Sequence, residues 1–183
     1  MLDAGCGTGD TALYLAARGH RVLGIDFAPT AVAAATRKAA ERGLGGAAAF
    51  LEMDALAVGE LRRASRAAAS SGSGRVPAAL GPDRFGPTFD TILDVGLFHT
   101  LQPAGRRAYA RALRAVVAPH GRLLLLAWSD RNPFGYGPER VQRRDLRHAF
   151  AGAWRVESIE EEELETRLPG GHVHAWLARL APR

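Results

Sequence analysis

Asp3, Gly5, Gly7 and Gly9 stand close together at the start of the chain, in the run MLDAGCGTGD. Glycines that follow a strand let the backbone turn tightly and approach a ligand, while the next helix offers free N–H groups. Many nucleotide-binding proteins share that arrangement. The dinucleotide fingerprint requires a further glycine three residues after the second, and here that position is Asp10. The spacing is instead Asp-x-Gly-x-Gly-x-Gly, and an acid ahead of the first glycine suits a ligand with a positive group and no pyrophosphate. Further carboxylates, Asp26, Asp54 and Asp94, close later apolar runs. A single strand-end Asp can equally be a helix cap or a turn residue. Three at successive strand ends, Asp3, Asp26 and Asp54, lie on the rim where open sheets bind ligands. His172 and His174 point the same way on a strand and could ligate a metal, but no third ligand is evident.

The elements that must position these acids alternate short apolar runs with longer helical patterns, which predicts an α/β sheet wrapped by helices. Residues 1–5 read as the tail of a strand, and 10–19 as a helix ended by Gly19. A second strand over 20–27 closes on Asp26. A second helix over 28–43 has Pro29 in its first turn and Gly43 after its last. The third strand, 47–56, closes on Asp54, and the fourth, 89–96, is buried by its composition. A helix over 102–121 leads to a fifth strand, 122–130, apolar on both faces as a central parallel strand requires. A helix-like run over 138–152 precedes strand-like runs at 154–168 and 172–180, separated by Pro169, Gly170 and Gly171. That pair predicts an antiparallel hairpin at a sheet edge, where Glu160, Glu161, Glu162 and Glu163 form a solvated face or guard the edge. Residues 59–87 have no sustained period and are rich in Gly, Ser, Pro and Ala, which predicts a flexible insertion.

The chain has 183 residues, the length of one domain, with 47% hydrophobic and 23% charged residues. Those are the proportions of an ordinary soluble globular protein. The longest apolar run, 123–128, is too short to span a bilayer. A single cysteine, Cys6, excludes an internal disulfide framework. With no charged-then-apolar leader the expected location is the cytoplasm. The net charge of +5 is carried almost wholly by arginine, Lys38 being the one lysine. Such a balance suits a nucleic-acid binder, but many of the arginines fall at helical spacing, as on the solvated face of an amphipathic helix.

The run LDAGCGTGDTALYLAARGHRVLGIDFAPTAV resembles the cofactor-binding half of the class I S-adenosylmethionine-dependent methyltransferases. The resemblance continues through FLEMDAL, FDTILDVGLFHTL and GRLLLLAWSD, and covers the chain apart from 59–87. It implies a Rossmann-like, mostly parallel seven-stranded sheet whose last strand runs antiparallel. It also gives the acids roles. Asp3 and the loop of Gly5, Cys6, Gly7 and Gly9 would face the positive methionine part of S-adenosylmethionine. Asp26, with Phe27 beside it, would accept from both ribose hydroxyls, which a carboxylate does bidentately. Asp54 would accept from the adenine amine, with Ala55 nearby. Asp94 and Val95 would line the methionine side with backbone carbonyls.

Methyl transfer from a sulfonium needs no covalent enzyme intermediate, so Cys6 reads as a small loop residue. His99, one turn past the fourth strand, reads either as a general base or as a packing or capping residue. The stretch DVGLFHTL lacks the prolines of nucleic-acid amino methylases, and the carboxylate cluster of metal-dependent relatives is missing. Both point to a metal-independent enzyme acting on a small molecule. Residues 129–146 resemble the acceptor region of thiopurine, thiol and halide methyltransferases, with Phe134 and Tyr136 as its apolar wall. An RNA-directed methyltransferase and a non-catalytic cofactor-binding remnant remain as alternatives. Members of the family commonly carry a few dozen residues before this loop. Met1 stands where the first strand would already be under way, and the expectation is that the chain is a shortened form.

Overall fold

The computed structural model describes residues 1–64, 85, 86, 88–133, 137–166 and 170–183. Most of the proposed insertion lies outside them, as do Phe134 and Tyr136. Among the described residues, seven strands form one sheet: β1 (Leu2–Ala4), β2 (Val22–Asp26), β3 (Ala48–Glu52), β4 (Phe89–Val95), β5 (Val117–Trp128), β6 (Trp154–Glu165) and β7 (His172–Pro182). Their order is β3-β2-β1-β4-β5-β7-β6. The first five pair in parallel, and β7 joins β5 and β6 antiparallel. The expected sheet with its terminal antiparallel hairpin is therefore present.

The sheet is covered by helices that include α1 (Asp10–Ala16), α2 (Pro29–Glu41), α3 (Pro103–Val116) and α4 (Arg143–Phe150). A 3-10 turn at Ala55–Ala57 and helical backbone over residues 59–64 follow β3. The pleat divides the core between the two faces. Leu23 and Ile25 of β2 pack with Leu2, Ile92, Leu123, Leu125 and the buried rings of Phe98, Tyr109, Phe150 and Trp154. Val22 turns the other way, to Leu13, Ala35 and Phe50 under α1 and α2. Strand stretches covered on both faces must be apolar, as Val22–Ile25 of β2 and Leu123–Trp128 of β5 are. None of the helices among the described residues is long and apolar enough to cross a membrane.

Several boundaries differ from expectation. The helix expected over 102–121 stops at Val116, and β5 begins at Val117 rather than at residue 122. Pro119 is the cause: proline cannot continue a helix, and it biases the residue before it toward extended backbone. The run expected as a helix from residue 138 starts at Arg143, where Gln142 and Asp145 form a reciprocal capping box. Upstream of it, Val141 bridges to Ser129 instead. The third strand ends at Glu52, two residues before Asp54. β1 has three residues, and each pairs with both β2 and β4.

Candidate cofactor site

At the carboxyl ends of β1 to β4 the sheet opens into a cavity of about 540 Å³. Six of the expected residues line it: Gly5, Asp26, Phe27, Asp54, Ala55 and Val95. Ile25, Met53, Gly96, Leu97, Thr100 and Leu101 complete the wall. These six were not anticipated, although each lies within a few residues of a strand-end acid. Among the described residues the lining holds two carboxylates and no basic side chain.

Asp26 is fastened by the backbone around it. Its Oδ2 accepts the Gly7 N–H at 2.9 Å and its Oδ1 accepts the Ala28 N–H at 2.9 Å. A carboxylate oxygen accepts more than one bond, so both oxygens keep lone pairs while the group is held still. Asp54 caps the 3-10 turn, its Oδ1 accepting the Leu56 N–H at 2.8 Å. One side chain thus both caps a turn and lines the cavity. Phe27 is 74% exposed and forms an apolar rim.

Beneath the glycine loop, Asp3 is 2% exposed and its Oδ2 has no hydrogen-bond partner. Burial, with Asp94 adding like charge, pushes its carboxyl up to about 7, against the Ala12 N–H that it accepts. A buried orphan acceptor is what a ligand ammonium would satisfy. The neighbouring Cys6 is buried and its thiol is pushed up to about 12, chiefly by burial, so it stays protonated and offers no nucleophile.

The glycines divide their work. A Cβ on Gly7 would meet nothing within 4 Å, whereas one on Gly9 would sit 2.8 Å from Ala35 and from the Phe50 ring. Gly9 therefore serves the packing of the loop on the core. Lys38 of α2 ties this loop down, its Nζ donating to Thr8 Oγ1 at 2.9 Å and to Asp10 Oδ1 at 2.8 Å.

Asp94 also departs from expectation. It is fully buried and does not line the cavity. Its Oδ1 accepts the Leu97 and Phe98 N–H groups at 2.8 and 3.2 Å, and its Oδ2 accepts the Tyr109 hydroxyl at 2.8 Å. The carboxylate thus shapes the turn that brings Val95, Gly96 and Leu97 to the cavity. Burial pushes it up to about 6, opposed by those three donors.

His99 lies in that turn, 8% exposed. Its Nδ1 accepts the backbone N–H of Trp128 at 3.0 Å. Burial, and then the charge of Arg106, push the imidazole down to about 4, so the ring is neutral. A neutral imidazole whose Nδ1 accepts carries its proton on Nε2. It then has no lone pair for a further proton, and the geometry disfavours the general-base reading. His172 stands 3.7 Å from Glu163, and the backbone N–H of His174 donates to Asn132 at 2.9 Å. Among the described residues no group of three His, Cys, Asp or Glu side chains is placed to hold a metal.

Comparison with known proteins agrees with this geometry. Residues 1–73 match the family model of a methyltransferase domain, and residues 77–175 match that of thiopurine S-methyltransferase. The 2-heptyl-1-hydroxyquinolin-4(1H)-one methyltransferase of Mycobacteroides abscessus is 32% identical over 167 residues, which are 90% of this chain and 62% of that protein. The chain therefore spans less than two thirds of that relative. A structure solved in work on the conversion of a disulfide bond into a thioacetal group during echinomycin biosynthesis is 34% identical. It covers all of this chain, which spans 74% of it, with a TM-score of 0.75. An S-adenosylmethionine-dependent methyltransferase of Methanosarcina mazei, 19% identical with a TM-score of 0.72 over 98% of this chain and 90% of its own, shares the fold. With these matches, its strand order and its strand-end acids, the chain belongs to the class I S-adenosylmethionine-dependent methyltransferases.

Proposed function

We propose that the protein transfers a methyl group from S-adenosylmethionine to a small-molecule acceptor, by in-line displacement and without a metal. The observation that carries this reading is the Asp26 carboxylate, immobilised at the cavity wall by two backbone N–H groups with lone pairs left for a diol. Asp54 is a second acceptor at the β3 end, and the orphan Oδ2 of Asp3 suits a cationic amine. Bound there, S-adenosylmethionine supplies a methyl group on a sulfonium, already joined to a good leaving group. The protein's share is then mostly to hold both reactants close and aligned. Phe27, Val95 and Leu97 supply apolar wall that limits water in the cavity. The small-molecule acceptor is supported by the quinolone named for one relative and by the echinomycin work behind another. An RNA acceptor would want basic side chains at the cavity mouth, and the lining has none among the described residues.

Calorimetric titration with S-adenosylmethionine and S-adenosylhomocysteine tests the reading. Asp26→Ala should weaken binding about ten- to hundredfold, since a hydrogen bond to a charged partner is worth about 1.5–3 kcal/mol. Unchanged affinity in that variant would sink the site assignment. Tight NAD binding without binding of either adenosyl ligand would overturn the function.

A further inference from the structure

The strand order, with the cofactor placed as proposed above, implies where the methyl acceptor lies. With Asp54 at the end of β3, Asp26 at β2 and the glycine loop at β1, the next strands outward are β4 and then β5. The methionine end of a cofactor laid along that row falls at β4, and the acceptor falls beyond it, toward the end of β5. His99 and Trp128 occupy that position. Their rings meet edge to face with centroids 6.3 Å apart, and the Trp128 backbone N–H is fastened to His99 Nδ1. Gly96, which lines the cavity, abuts the far edge of the imidazole: a Cβ there would lie 3.3 Å from His99 Cε1 and 3.8 Å from Nε2.

Each ring carries an N–H without a partner among the described residues. Trp128 is 5% exposed, and its Nε1 is a buried donor with no acceptor. The Nε2–H of His99 donates to no described residue. Two idle donors on neighbouring rings, with no base between them, suit an electron-rich atom. The Arg140 guanidinium, 5.8 Å from the centre of the Trp128 ring, adds positive charge.

We propose that His99 Nε2–H and Trp128 Nε1–H bind the nucleophilic atom of an acceptor that arrives already ionised, a thiolate or an acidic hydroxyl as its anion. The inference rests on the methyl-transfer reading above. The step balances without a base: the anion's lone pair forms the new bond to the methyl carbon, and the sulfonium C–S bond breaks with its electron pair to sulfur. An anion and a cation thereby become two neutral molecules, and no proton moves.

The probes are 4-nitrothiophenol and 4-nitrophenol, whose anions absorb visible light, added to protein saturated with S-adenosylhomocysteine. At least one anion should bind about ten- to hundredfold tighter than its S- or O-methylated form, the range for hydrogen bonds to a charged group. Its absorption band should shift on binding. Preference for the first probe assigns a sulfur acceptor, and preference for the second an oxygen acceptor. His99→Asn keeps an acceptor for the Trp128 N–H but loses the outer donor, and should abolish most of that preference. His99→Gln keeps the outer donor and should retain it, while Trp128→Phe should reduce it severalfold. S-adenosylhomocysteine affinity, measured by calorimetry, should be unchanged in all three, which shows that they are folded. With methylation as the readout, the pH limb of kcat/KM should move with the acidity of the thiol or phenol supplied. A limb at one fixed pH for every acceptor would reveal an enzymic base and overturn the proposal. So would equal anion binding in His99→Asn, or binding of neither probe by protein that holds S-adenosylhomocysteine. Failure of the parent protein to bind S-adenosylhomocysteine would instead remove the methyl-transfer reading itself.

Discussion

Asp3 illustrates a side chain placed against its own stability. A carboxyl whose folded value is about 7, above the ordinary 3.8, holds its proton more tightly when folded. Its contribution to stability is therefore fully present below about pH 4 and is lost as pH rises toward about 7. Asp94, raised to about 6, acts in the same direction, while His99, lowered to about 4, acts in the opposite one. The measurable quantity is accordingly a difference between variants. Asp3→Asn should lie nearest the parent near pH 3 and exceed it above pH 7. At about 1.4 kcal/mol per pKa unit the upper bound is about 4 kcal/mol. Urea titrations at the two pH values read this directly, and a pH-independent difference would refute it. The same variant should bind S-adenosylhomocysteine more weakly, because a neutral amide answers an ammonium less well than a carboxylate. Tyr109→Phe tests the neighbouring contact. It leaves a buried oxygen of Asp94 short of a donor and should cost about 1–3 kcal/mol in thermal or denaturant unfolding.

Among the elements, the glycine loop separates packing from ligand access. Gly9→Ala forces a Cβ to within 2.8 Å of Ala35 and Phe50 at φ +81, and should destabilise by at least about 2 kcal/mol. Gly7→Ala meets only the backbone penalty of its positive φ, about 1–2 kcal/mol, and should lose more in ligand affinity than its stability loss explains. Thermal midpoints set beside calorimetric affinities separate the two variants. The strand-end acids were legible because an apolar run that stops at an acid marks both the end of a buried strand and the rim. The end of α3 was legible too, in Pro119, yet helical periodicity through the preceding residues masked it. What Asp94 and His99 do was not legible. Each depends on a partner brought by another element, the Tyr109 hydroxyl and the Trp128 N–H, and no local pattern encodes such a meeting.

For the whole molecule, the 24 lysine and arginine cations are less available than their number suggests. Arg131 and Arg143 share Glu161, Arg179 faces Glu160, Arg155 faces Glu157, and the buried Arg106 is held by Glu139. The glutamates of β6 lie on an edge strand and serve as counterions there as well as guards. Single-stranded RNA should accordingly bind no tighter than ordinary non-specific association, a Kd on the order of 10⁻⁴–10⁻⁶ M at physiological salt. Fluorescence anisotropy of a labelled oligonucleotide at two salt concentrations checks this. A submicromolar Kd with a steep salt slope would revive the RNA-directed reading.

The tie from Lys38 to Thr8 and Asp10 makes the protein a sensor of its own loop. With Lys38 the one lysine among these 183 residues, an amine-reactive reagent has a single ε-amino target in them. Acylation at Lys38 requires the ammonium to leave its two oxygen partners and lose a proton, which can happen only when the latch opens. The rate at which one mass increment appears on a Lys38 peptide therefore counts latch openings. A ligand that settles the glycine loop should slow that clock, so untagged protein can be screened for cofactors and acceptors by mass spectrometry before any turnover assay exists.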